Sequence, residues 1–369
     1  MQPAVPESLP IAHLEWETLI PAMGRANRAI SEFSGLLRYL PDASLLMSPL
    51  AVREAVLSSR IEGTAATVTE VLRFEAGEEP KNEETRKDIE EIVNYRRALR
   101  RAEKELQKKP FCLNLLLTFH ENLMASVRGQ NKAPGQFRRI QNYIGRLGAP
   151  IEQASFIPPS PPAMLQALGE WEKYYHAEDR DALVQLAIIH AQFEFLHPFL
   201  DGNGRLGRIL IPLFLFNKGI LTTPTFYISE YLEEHRDKYI GHLRDLNLPG
   251  GWTAWCSFFL DAVTTQASWN IDRVTKILKL QQKLRSEMFD LTNSRYAMAL
   301  LDAMFAQPIF RVNSLMSRKD MPSRVMLMRL LNRLVDDGTL KVLVPASGSR
   351  PAVYSLHELV RLCESRPRK

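Results

Sequence analysis

Phe195-Leu196-His197-Pro198-Phe199-Leu200-Asp201-Gly202-Asn203-Gly204-Arg205-Leu206-Gly207-Arg208 joins two apolar runs, Ala182 to Leu196 and Leu206 to Phe216. Both have helical length. The first must stop at His197, because a residue before proline is pushed out of the α region. Gly202-Asn203-Gly204 lets the backbone approach a ligand closely and take unusual dihedrals. The second run starts at once and stops near Gly219, a natural helical cap. The order predicts helix, glycine turn, helix, within a mainly α chain.

A helix that begins at a glycine turn aims free N–H groups and the positive end of its dipole into the turn, which favours an anion. Arg205 and Arg208 lie three apart in the first turn, on one face, and guanidinium groups match phosphate oxygens in geometry. Asp201 is a hard oxygen ligand suited to magnesium, and His197 can accept a proton near neutral pH. A base, a metal ligand, an anion turn and two arginines describe a phosphoryl or nucleotidyl transfer site. Gly202-Asn203-Gly204-Arg205-Leu206-Gly207 also fits the dinucleotide pattern G-x-G-x-x-G, but that motif needs a preceding strand, and a helix is predicted here. His120 and His190 lack such company and read as structural.

From His197 to Arg208 the chain fits H-P-F-x-[DE]-G-N-G-R-x-x-R and so resembles the Fic domain proteins. The resemblance implies a Fic-type helical core and transfer of AMP from ATP to a Ser, Thr or Tyr hydroxyl of a protein, the chain itself included. It implies ATP contacts along Gly202, Asn203, Gly204, Arg205, Leu206, Gly207 and Arg208. Magnesium is implied on Asp201 and the proton-accepting role on His197. Tyr239 and Asn247 resemble family contacts to the adenine and its ribose. Ser58-Ser59-Arg60-Ile61-Glu62-Gly63 matches the family's inhibitory pattern [ST]-x-x-x-E-[GN], with Ser58 and Glu62 on one helix face and Gly63 as terminator. By resemblance Glu62 pairs with Arg208 and holds the enzyme inactive. The region around it, from Ser48 to Thr64, resembles the segment that precedes the core in many Fic proteins.

The length of 369 residues allows two or three domains, and a 45% hydrophobic content is ordinary for a soluble protein. No apolar run approaches a membrane span, and Met1 to Pro10 does not read as a signal peptide. Cys112, Cys256 and Cys363 are far apart and odd in number, which suggests neither a disulfide framework nor a Cys zinc site. A cytoplasmic protein is expected. The formal charge of +5 is concentrated from Asp290 onward, where thirteen Lys and Arg face seven Asp and Glu.

The domain reading is an N-terminal helical region with the inhibitory helix over 1–108, a catalytic core over 109–250, a helical linker over 251–290 and a winged helix-turn-helix over 291–369. Leu9 to Leu40 carries apolar residues spaced by threes and fours, then breaks at Pro41-Asp42. Ser48-Pro49 reads as a cap and first helical residue. Helices are predicted over Thr67–Phe74, Glu83–Leu106, Leu113–Met124 and Trp252–Phe289, with Pro212 kinking the helix after the glycine turn. Phe137 to Pro158, two short apolar segments around Gly145 and Gly148, predicts a small β-hairpin. In the Fic family the equivalent flap pins the target protein. Toward the C-terminus, helices over Arg295–Phe305, Val312–Met316 and Ser323–Asp337 precede strands over Leu340–Val344 and Ala352–Leu356. That order suggests the winged helix-turn-helix, with DNA contact through Arg324 and Arg329 or a protein contact left open.

Two rival functions use the same residues. One is hydrolysis, in which Glu62 orients a water that removes AMP from a modified protein. The other is a DNA-binding regulator whose Fic core senses nucleotide. UTP or CTP could replace ATP as donor, and apolar surface on the N-terminal helices or the C-terminal domain could form a homodimer.

Overall fold

The computed structural model describes residues 2–40, 43–125, 131–145, 150–348 and 350–365. The expected break at Pro41-Asp42 and the hairpin tip at 146–149 lie outside the described residues. The elements in order are α1 (Trp16–Tyr39), α2 (Ala43–Ile61), α3 (Val68–Glu75), α4 (Glu83–Leu106), α5 (Leu113–Leu123), α6 (Pro161–His176), α7 (Ala182–Leu196), α8 (Asn203–Asn217), α9 (Ser229–Glu234), α10 (Arg236–Arg244), α11 (Gly251–Thr292), α12 (Ala297–Ala306), β1 (Ile309–Arg311), α13 (Val312–Met316), α14 (Arg324–Asp336), β2 (Lys341–Val344), β3 (Val353–Ser355) and α15 (His357–Glu364). The chain is mainly helical, as its periodicities predict. Among the described residues no helix is long and apolar enough to cross a membrane.

Two compact units share the chain, each built from three segments. The first takes Met1–Gly35, Leu57–Gly63 and Val93–Ser268. Its centre is α7, apolar all round and therefore buried on every side, packed against α6, α8 and α10. Asp181 caps α7 by accepting from the Leu183 and Val184 N–H groups, both at 2.9 Å. The indole N–H groups of Trp171 and Trp255 donate to the Ile189 and Ala187 carbonyls, each at 2.8 Å, fixing α7 from two neighbours. Each Leu, Ile or Phe buried there contributes about 1.5–3 kcal/mol. The end of α7 is thereby a rigid platform for the turn that follows.

The second unit takes Leu36–Val56, Thr64–Ile92 and Trp269–Lys369. Its antiparallel sheet has the order β1-β3-β2, with Phe310 opposite Tyr354 and Tyr354 opposite Val342. The strand β1 and helix α15 lie outside the expected elements; β1 adds a third strand to the two predicted. Helix α3 starts with a full capping box between Thr67 and Glu70 and packs on β1 and α15.

Two expectations are corrected. Ser48-Pro49 does not open a helix: α2 starts at Ala43 and continues through Pro49. Proline removes one N–H from the ladder, yet the helix carries on around it. Pro212 sits inside α8, where the sequence places it. The flap between 137 and 158 is no two-stranded hairpin in its described part but one antiparallel bridge, Ile144 to Phe156. A single 3-10 turn, Ile151–Gln153, leads into it, and Ser155 and Phe156 both donate to the Ile144 carbonyl at 2.8 and 3.1 Å, which uses up the acceptor. Pro158 and Pro159 supply no further donors.

Candidate active site

The turn between α7 and α8 owes its shape to two left-handed residues. His197 closes α7 with φ 47° and ψ 59°, and Gly202 opens α8 with φ 79°. A side chain at Gly202 would be strained at that φ and would also collide with the Met124 sulfur. Asn203, 1% exposed, accepts from the Phe199 N–H and donates to the Phe199 carbonyl, both at 2.9 Å. It therefore ties the loop shut. By the geometry of a helix start, the N–H groups of Asn203, Gly204 and Arg205 face outward without intrahelical acceptors.

Two buried groups hold this turn from below. His120 accepts the Gly135 N–H at its Nδ1, 3.0 Å, so its Nε2 carries the proton and donates to the Asp201 carbonyl, also 3.0 Å. Burial pushes its imidazole pKa down to about 4, and it stacks on Phe199. Arg138, 2% exposed, donates through Nε to the His197 carbonyl at 2.9 Å and through Nη2 to the carbonyls of Leu196 and Pro159. Its backbone N–H donates to the Pro198 carbonyl. One guanidinium thus joins the start of the flap to the end of α7, and burial lowers its pKa to about 10.

His197 is half-buried, its ring lies near the backbone of Glu194, and its buried Nδ1 has no hydrogen-bond partner among the described residues. Burial pushes its pKa down to about 4, outweighing the upward pulls of the Glu194 backbone, Glu62 and Asp201. The imidazole is neutral at pH 7 and able to take a proton. Asp201 stands at the mouth of the turn with its side chain 43% exposed. Its Oδ1 accepts from the Gly202 N–H at 2.6 Å and from Arg205 at 3.5 Å. Arg205 itself is 6% exposed and Leu206 is fully buried.

Arg208, 1% exposed, meets the inhibitory pattern directly. Its Nε donates to the Ser58 hydroxyl at 2.8 Å, and its Nη2 to the Ser58 carbonyl at 2.9 Å and Glu62 Oε1 at 2.6 Å. Glu62 lies just past the end of α2, where Gly63 takes φ 107°, and 42% of its side chain reaches solvent. Burial tends to raise the Glu62 pKa, but the charge and hydrogen bond of Arg208 carry it below the usual value. The carboxylate occupies the space that a side chain at Gly204 would fill. It is thus an anion lying on the first turn of α8. Arg236, unforeseen in the sequence, donates from Nε to the Ile61 carbonyl at 3.0 Å and anchors this end of α2.

Glu194 also escaped the motif. It sits one turn before His197, against Gly207, whose missing side chain leaves room for its carboxyl. Its buried Oε1 has no hydrogen-bond partner among the described residues. Burial raises its pKa to about 8, against the pull of Arg208. A lone carboxyl in an otherwise apolar run was the available signal. Tyr239 is 2% exposed, and its hydroxyl lies 2.9 Å from His190 Nε2, whose Nδ1 faces the Gly207 carbonyl at 3.2 Å. The tyrosine reaches Arg208 from within the core, and burial carries its pKa well above the usual value. Asn247 is exposed in the turn after α10. Both histidines read as structural, His120 and His190, are buried supports of the turn.

The chain matches the Fic/DOC family N-terminal model over residues 20–104 and the Fic/DOC family model over residues 110–215. It is 28% identical over 205 residues to a probable protein adenylyltransferase of Aquifex aeolicus, covering 53% of this chain and 55% of that protein. It is 30% identical over 135 residues to a protein adenylyltransferase Fic of Culex quinquefasciatus, covering 36% of this chain and 24% of that one. The chain thus spans about half or less of the length of these relatives. In fold it is similar to a Fic family protein of Desulfovibrio desulfuricans, with a TM-score of 0.60 and 19% identity over 96% of this chain and 98% of the other. It is similar also to Fic-1 of C. elegans (aa134–508), at 0.55 and 18%, over 72% and 75%. With one model spanning the Ser58 to Gly63 pattern and the other the glycine turn, this chain belongs to the Fic/DOC family.

Proposed function

We propose that the protein is an adenylyltransferase that moves AMP from ATP to a Ser, Thr or Tyr hydroxyl of a protein and is held inactive by its own Glu62. The observation that carries this reading is the Glu62 carboxylate bonded to Arg208 on the first turn of α8, where a phosphate would bind.

His197, neutral and at the end of α7, takes the proton of the target hydroxyl. The hydroxyl oxygen then bonds to the α-phosphorus, the bond to the bridging oxygen breaks, and pyrophosphate leaves with the electron pair. The N–H groups at the start of α8 receive the α-phosphate, and Arg205 and Arg208 neutralise the charge that develops on the leaving group. Arg208 can do so only after leaving Glu62. Among the described residues there is no cluster of three or more His, Cys, Asp or Glu able to hold a resident metal. Magnesium that arrives with a nucleotide needs only one or two carboxylates beside the phosphates, and the half-open Asp201 fits that part. Bound there, the ion would neutralise phosphate charge.

The target protein would lie along the flap at 137–158, where Ile140, Tyr143 and Ile144 are exposed. Asn247 remains the proposed nucleoside contact, while Tyr239, buried on the core side of Arg208, would position that arginine. The test uses purified protein, magnesium and ATP labelled at either the α- or the γ-phosphate. Covalent label from the α-phosphate alone supports AMP transfer. Label from the γ-phosphate would make the protein a kinase, and none from either, even in Glu62→Gly, would remove transferase activity from the reading.

A further inference from the structure

The segment from α12 to β3 has no part in that chemistry, yet it presents a surface of definite character. Its elements run helix, strand, helix, helix, strand, strand, and α14 follows α13 after a turn of seven residues. Leu327, Leu330, Leu331 and Leu334 bury one side of α14. The opposite side of its first two turns carries Val325 and Arg329, both exposed, with Val325 at 65%, and Arg324 is exposed at the flank of the first turn. Arg324 is steadied by a 2.8 Å bond to Asn313 of α13, so the corner between the two helices is defined. Lys319 in the turn, Lys341 on β2 and Arg350 in the loop between β2 and β3 are exposed as well.

Lys341 shares a cleft with Glu287, Asp337 and Glu358, but the acids nearby leave the other charges uncancelled. Asp320 is paired with Arg318 at 3.0 Å, and Asp336 and Asp337 stand at the far end of α14. Of the other basic residues here, Arg333 donates to the Thr292 carbonyl, while Arg311 packs beside Gly77. The excess is thus concentrated at the start of α14 and on the flanking turn and loop. A protein-binding face would carry buried aromatic anchors at its centre. This one exposes only Met316, Val325 and Val342 as large apolar groups.

A helix of 13 residues fits the width of a B-DNA major groove when its N-terminal half carries the contacts. Arginine matches the guanine edge in two bonds, and a small aliphatic side chain matches the thymine methyl group. Cations on both flanks suit the phosphates on either side of the groove. We propose that this segment is a winged helix-turn-helix that docks duplex DNA, with α14 in the major groove. Arg329 and Val325 would read bases, while Lys319, Arg324 and Arg350 grip phosphates.

The full-length protein would be titrated into a labelled random-sequence duplex of about two helical turns, with anisotropy as the readout. Three cations on phosphates predict a slope of log affinity against log salt of roughly −3 between about 50 and 200 mM. The double variant Arg324→Glu/Arg329→Glu should lose at least tenfold in affinity while its circular dichroism and AMP transfer stay unchanged. Lys283→Glu/Arg285→Glu, an equal charge change on exposed residues of α11, should bind like the wild type. A duplex that fails to bind near 50 mM salt overturns the proposal, whether or not a protein crosslinks to α14. So does binding that responds equally to the α14 double variant and to the α11 double variant.

Discussion

The glycine turn at 197–208 and the exposed start of α14 both present arginines, but under opposite conditions. In the turn, Arg208 is 1% exposed and meets Ser58 and Glu62, and the neighbouring Arg205 is 6% exposed. On α14, Arg324 and Arg329 stand in solvent on a helix whose other side is a conventional leucine core. A buried guanidinium must be matched, because breaking its pair leaves an uncompensated charge in low dielectric. An exposed one is already hydrated and contributes little to stability. The turn can therefore be switched by exchanging one anion for another. The α14 face, already hydrated, offers no such exchange.

The largest effect expected within the turn follows from His197→Ala. Loss of the proton acceptor should reduce transfer by about 10²–10⁴-fold, read as labelled AMP per protein, with the melting temperature little changed. A residual rate near that of the parent would mean that the turn does not supply the base.

Glu194→Gln sharpens the contrast through pH. The wild-type carboxyl has a folded pKa of about 8, above its ordinary 4.5, so the folded state holds its proton longer than the unfolded state. Its contribution to stability is complete below pH 4.5 and is lost as pH rises through 8. The variant lacks this loss, so its melting temperature should gain on that of the wild type as pH rises between those limits. Parallel curves would mean that the carboxyl is ionised and paired in the native state.

Removing the Arg236 anchor should loosen the end of α2 without touching the turn. Arg236→Ala is expected to raise transfer about threefold, the equivalent of losing one modest hydrogen bond at Ile61. An unchanged rate would show that the end of α2 is held by Glu62 and Ser58 alone. The smallest effect is reserved for α14, where Arg329→Ala should alter unfolding free energy by no more than about 0.5 kcal/mol. A larger loss would mean that the residue is part of the fold and not a free surface charge.

How much of this was legible beforehand depended on whether the controlling interaction was local. The bounds of Glu83–Leu106, Ala182–Leu196 and Val312–Met316 could be read because periodicity, Asp181 and His197-Pro198 lie within the elements they limit. The pairing of Glu62 with Arg208 was reachable only through resemblance, since 146 residues separate them. Pro49 misled because proline opens helices far more often than it sits inside them. The short strand β1 becomes a strand only by pairing with β3, whose residues follow more than forty positions later. Arg138, Glu194 and Arg236 belong to no pattern. Their roles depend on carbonyls and cavities created when the chain folds, and Arg138 in particular looked like one more basic residue in an irregular stretch.

The central claim is that a carboxylate on the first turn of α8 keeps the transferase idle. It is tested most directly by the rate of AMP transfer to protein in Glu62→Gly against the wild type, at saturating ATP and magnesium, with Glu62→Gly/His197→Ala as control. A charge-assisted bond of about 1.5–3 kcal/mol, taken at its low end because Glu62 is half open to solvent, predicts at least a tenfold rise that the control abolishes. Equal rates in Glu62→Gly and the wild type would contradict the claim. So would a Glu62→Gly protein that transfers no faster but has lost the ability to release AMP from a modified protein, which would make Glu62 the residue that directs a water.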